Sequence, residues 1–241
     1  MFLILFPLCF MAGLIQTVTG FGSGVVIMLV LPLLMPLIEA STISNSITLF
    51  LCTSLAWQYR KTINFKLIMF PLIIFYIVSG IILRWVPYMN SSILEPYFGL
   101  FLMGLSIYFL VYSERIKIKA NRFTASICAS LSGIVSAFFG VAGPPMVIYF
   151  LYATSTKEEY QGTIQFYFFL TCLYTFIMRI YNGLVNQSMI IPIIVGIIII
   201  AVGQFIGNKL VKQLDGIRMK KIIYCFLAFS GASIILKSVI G

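Results

Sequence analysis

Gly133-Ile134-Val135-Ser136-Ala137-Phe138-Phe139-Gly140-Val141-Ala142-Gly143-Pro144-Pro145 interrupts a long apolar run where a membrane span should have its middle. Gly140 and Gly143 permit positive φ and close backbone approach. Pro144 biases Gly143 away from helical conformation, and a Pro-Pro pair suits a helix's first turn, where a missing N–H costs little. The stretch therefore predicts one helix stopping near Gly140 and another starting near Pro144. Gly13-Leu14-Ile15-Gln16-Thr17-Val18-Thr19-Gly20-Phe21-Gly22-Ser23-Gly24 repeats the event earlier in the chain, with Gly13 pairing with Gly133 and Gly20 with Gly140. Broken helices at corresponding positions of two halves are the sequence sign of a transporter's binding site.

The composition around these breaks excludes a soluble domain. Of 241 residues 61% are apolar and only 9% charged, and the mean hydropathy is +1.08. Apolar runs of about 20 residues suffice to cross a ~30 Å hydrocarbon core. Only helices and closed barrels satisfy their backbone there, and long runs without alternation select helices. The net charge of +10 reads as basic loops on the cytoplasmic side, not as a nucleic-acid surface. Cys9, Cys52, Cys128, Cys172 and Cys225 lie scattered in apolar segments without CxxC spacing, as small packing residues. There is no histidine, so the commonest acid–base group and zinc ligand is missing. No metal and no cofactor is expected. Residues 1–17 lack a basic n-region and a clear small-residue cleavage site, and read as mature membrane protein.

The chain divides into a first membrane repeat (1–113), a basic cytoplasmic linker (114–122) and a second membrane repeat (123–241). The first block, Phe2 to Ile38, is too long for one ordinary span; it is either one kinked crossing or a re-entrant hairpin. Continuous spans follow at about 41–60, 66–86 and 93–112. The second half repeats the plan, with a broken block at 123–153 and spans near 160–180, 188–208 and 219–240. Loop charges choose between the topologies. Single crossings place Lys209, Lys212, Arg218, Lys220 and Lys221 together on the outside, against the positive-inside rule. Hairpins that return to their own side invert the halves and leave only Arg84, Arg179 and Lys237 of the 16 basic residues outside. The expected fold is thus an all-α polytopic membrane protein of two inverted repeats, each a broken helical hairpin plus three transmembrane helices. Both termini face outward.

No catalytic set emerges, and no enzyme activity is expected. The six acids, Glu39, Glu95, Glu114, Glu158, Glu159 and Asp215, fall in or beside predicted loops, and Lys157-Glu158-Glu159 reads as a solvated loop. Binding rests instead on helix ends. Half-helices starting near Ser23 and Pro144 point free N–H groups and positive dipole ends at one cavity, an anion site without an ionisable side chain. Its candidate residues are Gln16, Thr19, Gly20, Phe21, Gly22, Ser23 and Gly24 in the first break, and Gly140, Val141, Ala142, Gly143, Pro144 and Pro145 in the second. Asn45 and Gln165 join them at matching depths in the next helices; singly, each reads as interhelical glue. Close helix packing is the alternative reading of the glycines. Arg60 and Arg179, at span ends, read as snorkelling to the interface, and Trp57 and Trp85 as interfacial belt residues.

Gly13-x6-Gly20-x-Gly22-x-Gly24 leads into Leu31-Pro32-Leu33-Leu34. In the second half Gly133-x6-Gly140-x2-Gly143-Pro144-Pro145 is followed by Gln161-Gly162-Thr163. On these motifs the chain resembles the sulfite exporter TauE/SafE family over nearly its whole length. The resemblance implies a multi-pass exporter of small, often sulfur-containing or organic anions in the cytoplasmic membrane. Gln161 stands where many relatives are expected to carry arginine, and Ser23 replaces a glycine of the commoner triple. The expected function is export of a small anion (sulfite, an organosulfonate or a related organic anion) by alternating access at the midplane. An anion channel or neutral-metabolite transporter is the nearest alternative, and a non-transporting scaffold the alternative of another class. Dry packing of the two breaks favours the scaffold; a polar cavity reaching both favours transport.

Cysteine-accessibility labelling in intact cells is expected to find the 209–221 loop protected and both termini labelled. A labelled 209–221 loop contradicts the inverted arrangement.

Overall fold

The computed structural model describes residues 2–107, 119–141 and 143–210. Every regular element among the described residues is helical. The first half contains α1 (Phe2–Thr19), α2 (Ser23–Val30), α3 (Leu37–Gln58), α4 (Phe65–Leu83) and α5 (Ser91–Ile107). The second contains α6 (Arg122–Phe139), α7 (Gly143–Ala153), α8 (Lys157–Tyr181) and α9 (Ile190–Leu210). Segments Phe65–Tyr88, Arg122–Phe139, Lys157–Tyr181 and Gln187–Leu210 are long and apolar enough to cross a membrane. The protein is a multi-pass membrane protein. The expected 219–240 span and part of the 114–122 linker lie outside the described residues.

Local chemistry sets the helix boundaries. The Thr124 N–H donates to Asn121 Oδ1 (2.8 Å) and the Asn121 N–H to Thr124 Oγ1 (3.2 Å), a reciprocal cap that starts α6. Thr156 Oγ1 accepts from the Glu159 N–H at 3.1 Å to start α8. Lys157-Glu158-Glu159 is therefore a first helical turn and not a free loop. Glu159 also accepts from Asn64 Nδ2 and from the Ser155 N–H, both at 2.8 Å. A carboxylate at this helix end complements the dipole.

α3 and α8 form the centre and run antiparallel. Arg179, near the end of α8, meets Ser41 and Thr42 near the start of α3. Asn45 donates to the Cys172 carbonyl in the middle, and Thr62, just past α3, donates to the Glu158 carbonyl at the far end. These contacts define a Leu37 end and a Gln58 end of the molecule. α1 runs parallel to α9: a Cβ on Gly13 would strike the Ile200 carbonyl, one on Gly203 the Phe10 carbonyl, and one on Gly207 the Thr17 side chain. α6 runs parallel to α4 in the same manner, with Gly133 against Phe75 and Ser79 and Ala137 packed with Leu83 and Val86.

The kinked-crossing alternative gives way to hairpins. Gln16 lies beside Cys52, and Gly20 beside Tyr160 and Gln161 near the Gln58 end; Ser23 then returns to Thr48 and Gly24 to Ser44. α2 thus folds back along α3 towards the Leu37 end, where α1 begins. α6 climbs from the Gln58 end until Gly140 meets the Ser41 backbone, and α7 returns past Phe168. Each tip passes the midpoint of the molecule, and the two hairpins open to opposite ends.

α3 covers most of the span anticipated at 41–60 but is less apolar than the four crossing segments, with Ser41, Thr42, Ser44, Asn45, Ser46 and Thr48 buried along it. Ser41, Thr42 and Ser46 bond back to helix carbonyls at 2.8–2.9 Å, which satisfies hydroxyls away from water. The lipid-facing surface is apolar instead, with Ile73, Ile77, Ile81, Ile194, Ile198 and Phe205 all exposed.

Backbone-to-backbone approach between α1 and α9 predicts sensitivity at Gly203. Gly203→Leu is expected to destabilise purified protein by about 1–3 kcal/mol through overpacking. Gly104→Leu, where a Cβ meets nothing within 4 Å, should leave the melting temperature unchanged. Equal melting of the two variants contradicts this packing.

Candidate functional site

The two breaks meet in the interior. Gly20, Gly22 and Gly140 take positive φ (86°, 111° and 66°), a conformation that costs glycine little and other L-residues more. A Cβ on Gly24 lies 3.6 Å from the Gly140 carbonyl oxygen, and one on Gly143 lies 3.9 Å from Phe21 Cβ. Gly143 is itself the first residue of α7, one position before the expected start, and Pro144 and Pro145 complete its first turn.

A cavity of about 20 Å³ lies between the breaks, room for roughly one water. Gly22, Gly24 and Val25 line it from the first break, and Gly140, Val141 and Gly143 from the second. Gln16, Thr48, Phe168 and Cys172 complete the wall.

Gln16 is the hub of the polar wall. Its Oε1 accepts from the Ser23 N–H at 3.1 Å and from the Ser23 hydroxyl. Its Nε2 donates to Gln165 Oε1 and to Cys52 Sγ, each at 3.1 Å. Gln165 Nε2 donates in turn to the Gly20 carbonyl at 2.8 Å, and Ser23 Oγ pairs with Thr48 Oγ1 at 3.1 Å. Gln16 and Gln165 therefore hold the first break to α3 and α8. Asn45 Nδ2 donates to the Cys172 carbonyl at 3.2 Å, and its buried Oδ1 has no partner.

The remaining candidates divide. Thr19 Oγ1 bonds the Ile15 and Phe21 carbonyls at 2.9 and 2.8 Å; it shapes the turn and does not line the cavity. Phe21 and Pro144 are buried beside the cavity, and Pro145 is half-buried. Ala142 lies outside the described residues.

The helix ends are chemically unequal. The Ser23 N–H of α2 is taken by Gln16, and the Val26 N–H bonds the Gly22 carbonyl at 2.9 Å. Helix geometry leaves the Gly24 and Val25 N–H groups without an intrahelical acceptor, both at the cavity wall. α7 offers the positive end of its dipole but fewer donors, since Pro144 and Pro145 carry no N–H. A small anion between these ends gains two backbone donors from α2 and dipolar stabilisation from both helices.

Thr48, Val25, Phe168 and Cys172 are wall residues that the sequence reading did not select. For Thr48, Phe168 and Cys172 the signal is a stripe: Asn45, Thr48 and Cys52 share one face of α3, and Gln165, Phe168 and Cys172 the matching face of α8. The Cys52 and Cys172 thiols lie against each other where the stripes cross. Arg60 is exposed and stacks over Trp57, 4.6 Å from its ring centre. Arg179 differs from the expectation: it does not snorkel but is fully buried, because α3 and α6 cover the last turn of α8.

Gln16→Leu leaves the Ser23 N–H and Gln165 Oε1 buried without their partner. A stability loss of about 1–3 kcal/mol is expected, read from thermal unfolding of purified protein. An unchanged melting temperature would show the hub to be dispensable.

No curated protein and no solved structure matched the chain. The family described as Sulfite exporter TauE/SafE matches over residues 5–234, nearly the whole sequence and both glycine breaks, and the chain belongs to that family of membrane transporters.

Proposed function

We propose that the protein exports a small anion, sulfite or a related sulfur-containing or organic anion, across the cytoplasmic membrane by alternating access about the cavity between the two breaks. The observation that carries this reading is the placement of the α2 and α7 starts on one cavity, with unpaired Gly24 and Val25 N–H groups in its wall. The substrate class comes from the family match. The cavity reaches both breaks and sets the polar side chains of Gln16 and Thr48 in a largely apolar wall, which supports transport over a dry scaffold packing. At about 20 Å³ it is too small for sulfite, so binding requires the hairpins to part, and motion about a site fits a carrier better than an open channel.

The halves, 1–113 and 123–241 about the 114–122 linker, act as inverted repeats in this mechanism. Exchanging them exchanges the pairs α1–α9 and α4–α6 and returns α3–α8 to itself. A two-fold axis that relates two antiparallel crossing helices lies perpendicular to them, hence in the membrane plane, as inverted-topology transporters require. The Leu37 end faces outward in this orientation and the Gln58 end faces the cytoplasm, placing both termini outside.

Coupling follows from charge. Among the described residues no acid lies in the middle of a helix: Glu39, Glu158 and Glu159 sit in first turns, and Glu95 near the start of α5. With a negative cytoplasm, a departing monovalent anion gains ~2.3 kcal/mol per 100 mV and a divalent one about twice that. Export then needs no second ion.

Sulfite efflux from proteoliposomes is expected to follow an imposed voltage without a sodium or proton gradient. Gly22→Leu and Gly143→Leu should insert but abolish that flux, since each side chain fills the cavity wall. Flux that ignores voltage and requires a proton or sodium gradient contradicts the coupling; wild-type flux in both variants contradicts the site.

A further inference from the structure

Arg179 is the largest fully buried side chain among the described residues, with 0% of its surface exposed. Its Nη1 donates to Ser41 Oγ at 2.8 Å, to Thr42 Oγ1 at 2.7 Å and, more weakly, to the Ile38 carbonyl at 3.4 Å. Nη2 donates to the Ala137 carbonyl at 3.1 Å, and Nε has no partner. All these acceptors are neutral. Among the described residues no carboxylate pairs with the guanidinium, although a charge so enclosed is costly unless paired and fully hydrogen-bonded. The last turn of α6, which contributes the Ala137 carbonyl, supplies only the partial negative charge of a helix end.

The position relates this charge to the cavity. Ser41, which accepts from Arg179 through its hydroxyl, presents its backbone carbonyl to Gly140 so closely that a Cβ there would collide with it. Gly140 lines the cavity. The guanidinium thus sits behind the second hairpin tip, on the Leu37 side. Its Nε–Nη2 edge, which grips an oxyanion by two parallel hydrogen bonds, holds a single carbonyl. The opposite end carries charges of both signs: Glu158 and Glu159 lie beside Thr62 and Asn64, with Arg60, Lys61 and Lys157 next to them.

We propose that Arg179, with Ser41 and Thr42, is a second station for a small oxyanion, next to the midplane cavity on the Leu37 side. The inference rests on the anion-transport reading above. In the state described here the neutral acceptors hold the guanidinium as a latch between α8, α3 and α6. When the second hairpin tip moves away from Ser41, the oxyanion takes the Nε–Nη2 edge and supplies the missing counter-charge.

Sulfite is the probe, and full-length protein is assayed for sulfite-dependent thermal stabilisation and for flux in proteoliposomes. Arg179→Gln keeps a donor for Ser41 and Thr42 but removes the charge; its sulfite affinity is expected to fall roughly tenfold or more, as loss of a charged hydrogen-bond partner implies. Its melting temperature without sulfite should stay the same or rise, and Arg179→Lys, which keeps the charge but lacks the two-pronged edge, should recover only part of the affinity. A purely structural latch predicts the reverse: a lower melting temperature with unchanged sulfite affinity, which would overturn the station. Wild-type protein gives a reading independent of folding in the variants. Phenylglyoxal should modify Arg179 during turnover, and saturating sulfite should protect it; modification that sulfite does not slow, or none in any condition, also overturns the proposal. Wild-type protein that neither binds nor moves sulfite refutes the anion reading itself and the station with it, whereas wild-type flux with an unaltered Arg179→Gln variant refutes only the station.

Discussion

A helix broken inside a bilayer exposes backbone donors and acceptors where no water reaches them, and each group left unpaired there costs several kcal/mol. The interior of this protein is arranged around that constraint. The Gly20 carbonyl receives the Gln165 amide, the Ser23 N–H is held by Gln16, and the Ala137 carbonyl at the end of α6 receives Arg179. Two of these repairs come from α8 and the third from α1, the other arm of the same hairpin, so α8 fixes a group at each break. Groups left over at such a break are available to a ligand, and the Gly24 and Val25 N–H groups at the cavity wall fit that description.

Close packing makes these repairs reachable. Gly13 and Gly203 bring helix backbones to distances at which a Cβ would collide, Gly140 does the same with Ser41, and Gly133 leaves a Cβ only 3.3 Å from the Phe75 carbonyl. Without a hydrophobic drive between helices in lipid, such small-residue contacts supply the dispersion that holds them together. The hairpin tips meet their neighbours through hydrogen bonds and short side chains, while α1 with α9 and α4 with α6 interlock along their length. Rigid pairs moving against hairpin tips are the mechanical form that alternating access about a fixed site needs.

Much of this was legible in the sequence because glycine and proline act locally. Gly20, Gly22 and Gly140 mark turns that few other residues tolerate, and Pro144-Pro145 marks a helix start, so both breaks fall within a residue of expectation. The spans at 66–86, 160–180 and 188–208 emerged from apolar length alone. What stayed hidden depends on which faces of continuous helices meet. Thr48, Phe168 and Cys172 carry no local signature; only the in-register stripes on α3 and α8 reveal them, and those stripes matter because the two helices cross antiparallel. Position near a span end suggested that Arg179 reaches the interface, but neighbouring helices cover that end and enclose it. The paired start of α7 was expected to offer free N–H groups as α2 does, yet its two prolines remove two of the four in its first turn, which leaves an asymmetric site.

The central claim is that an anion rests between the starts of α2 and α7. Crystals of full-length protein grown in the presence of selenite, an oxyanion analogue of sulfite whose selenium gives anomalous scattering, test it most directly, since the hairpins can then part around the anion before the lattice forms. The account predicts an anomalous peak within hydrogen-bond reach of the Gly24 and Val25 N–H groups, facing Gly143 across the cavity. A peak confined to the lipid-facing surface, or absent from the space between the two breaks at saturating selenite, would contradict it.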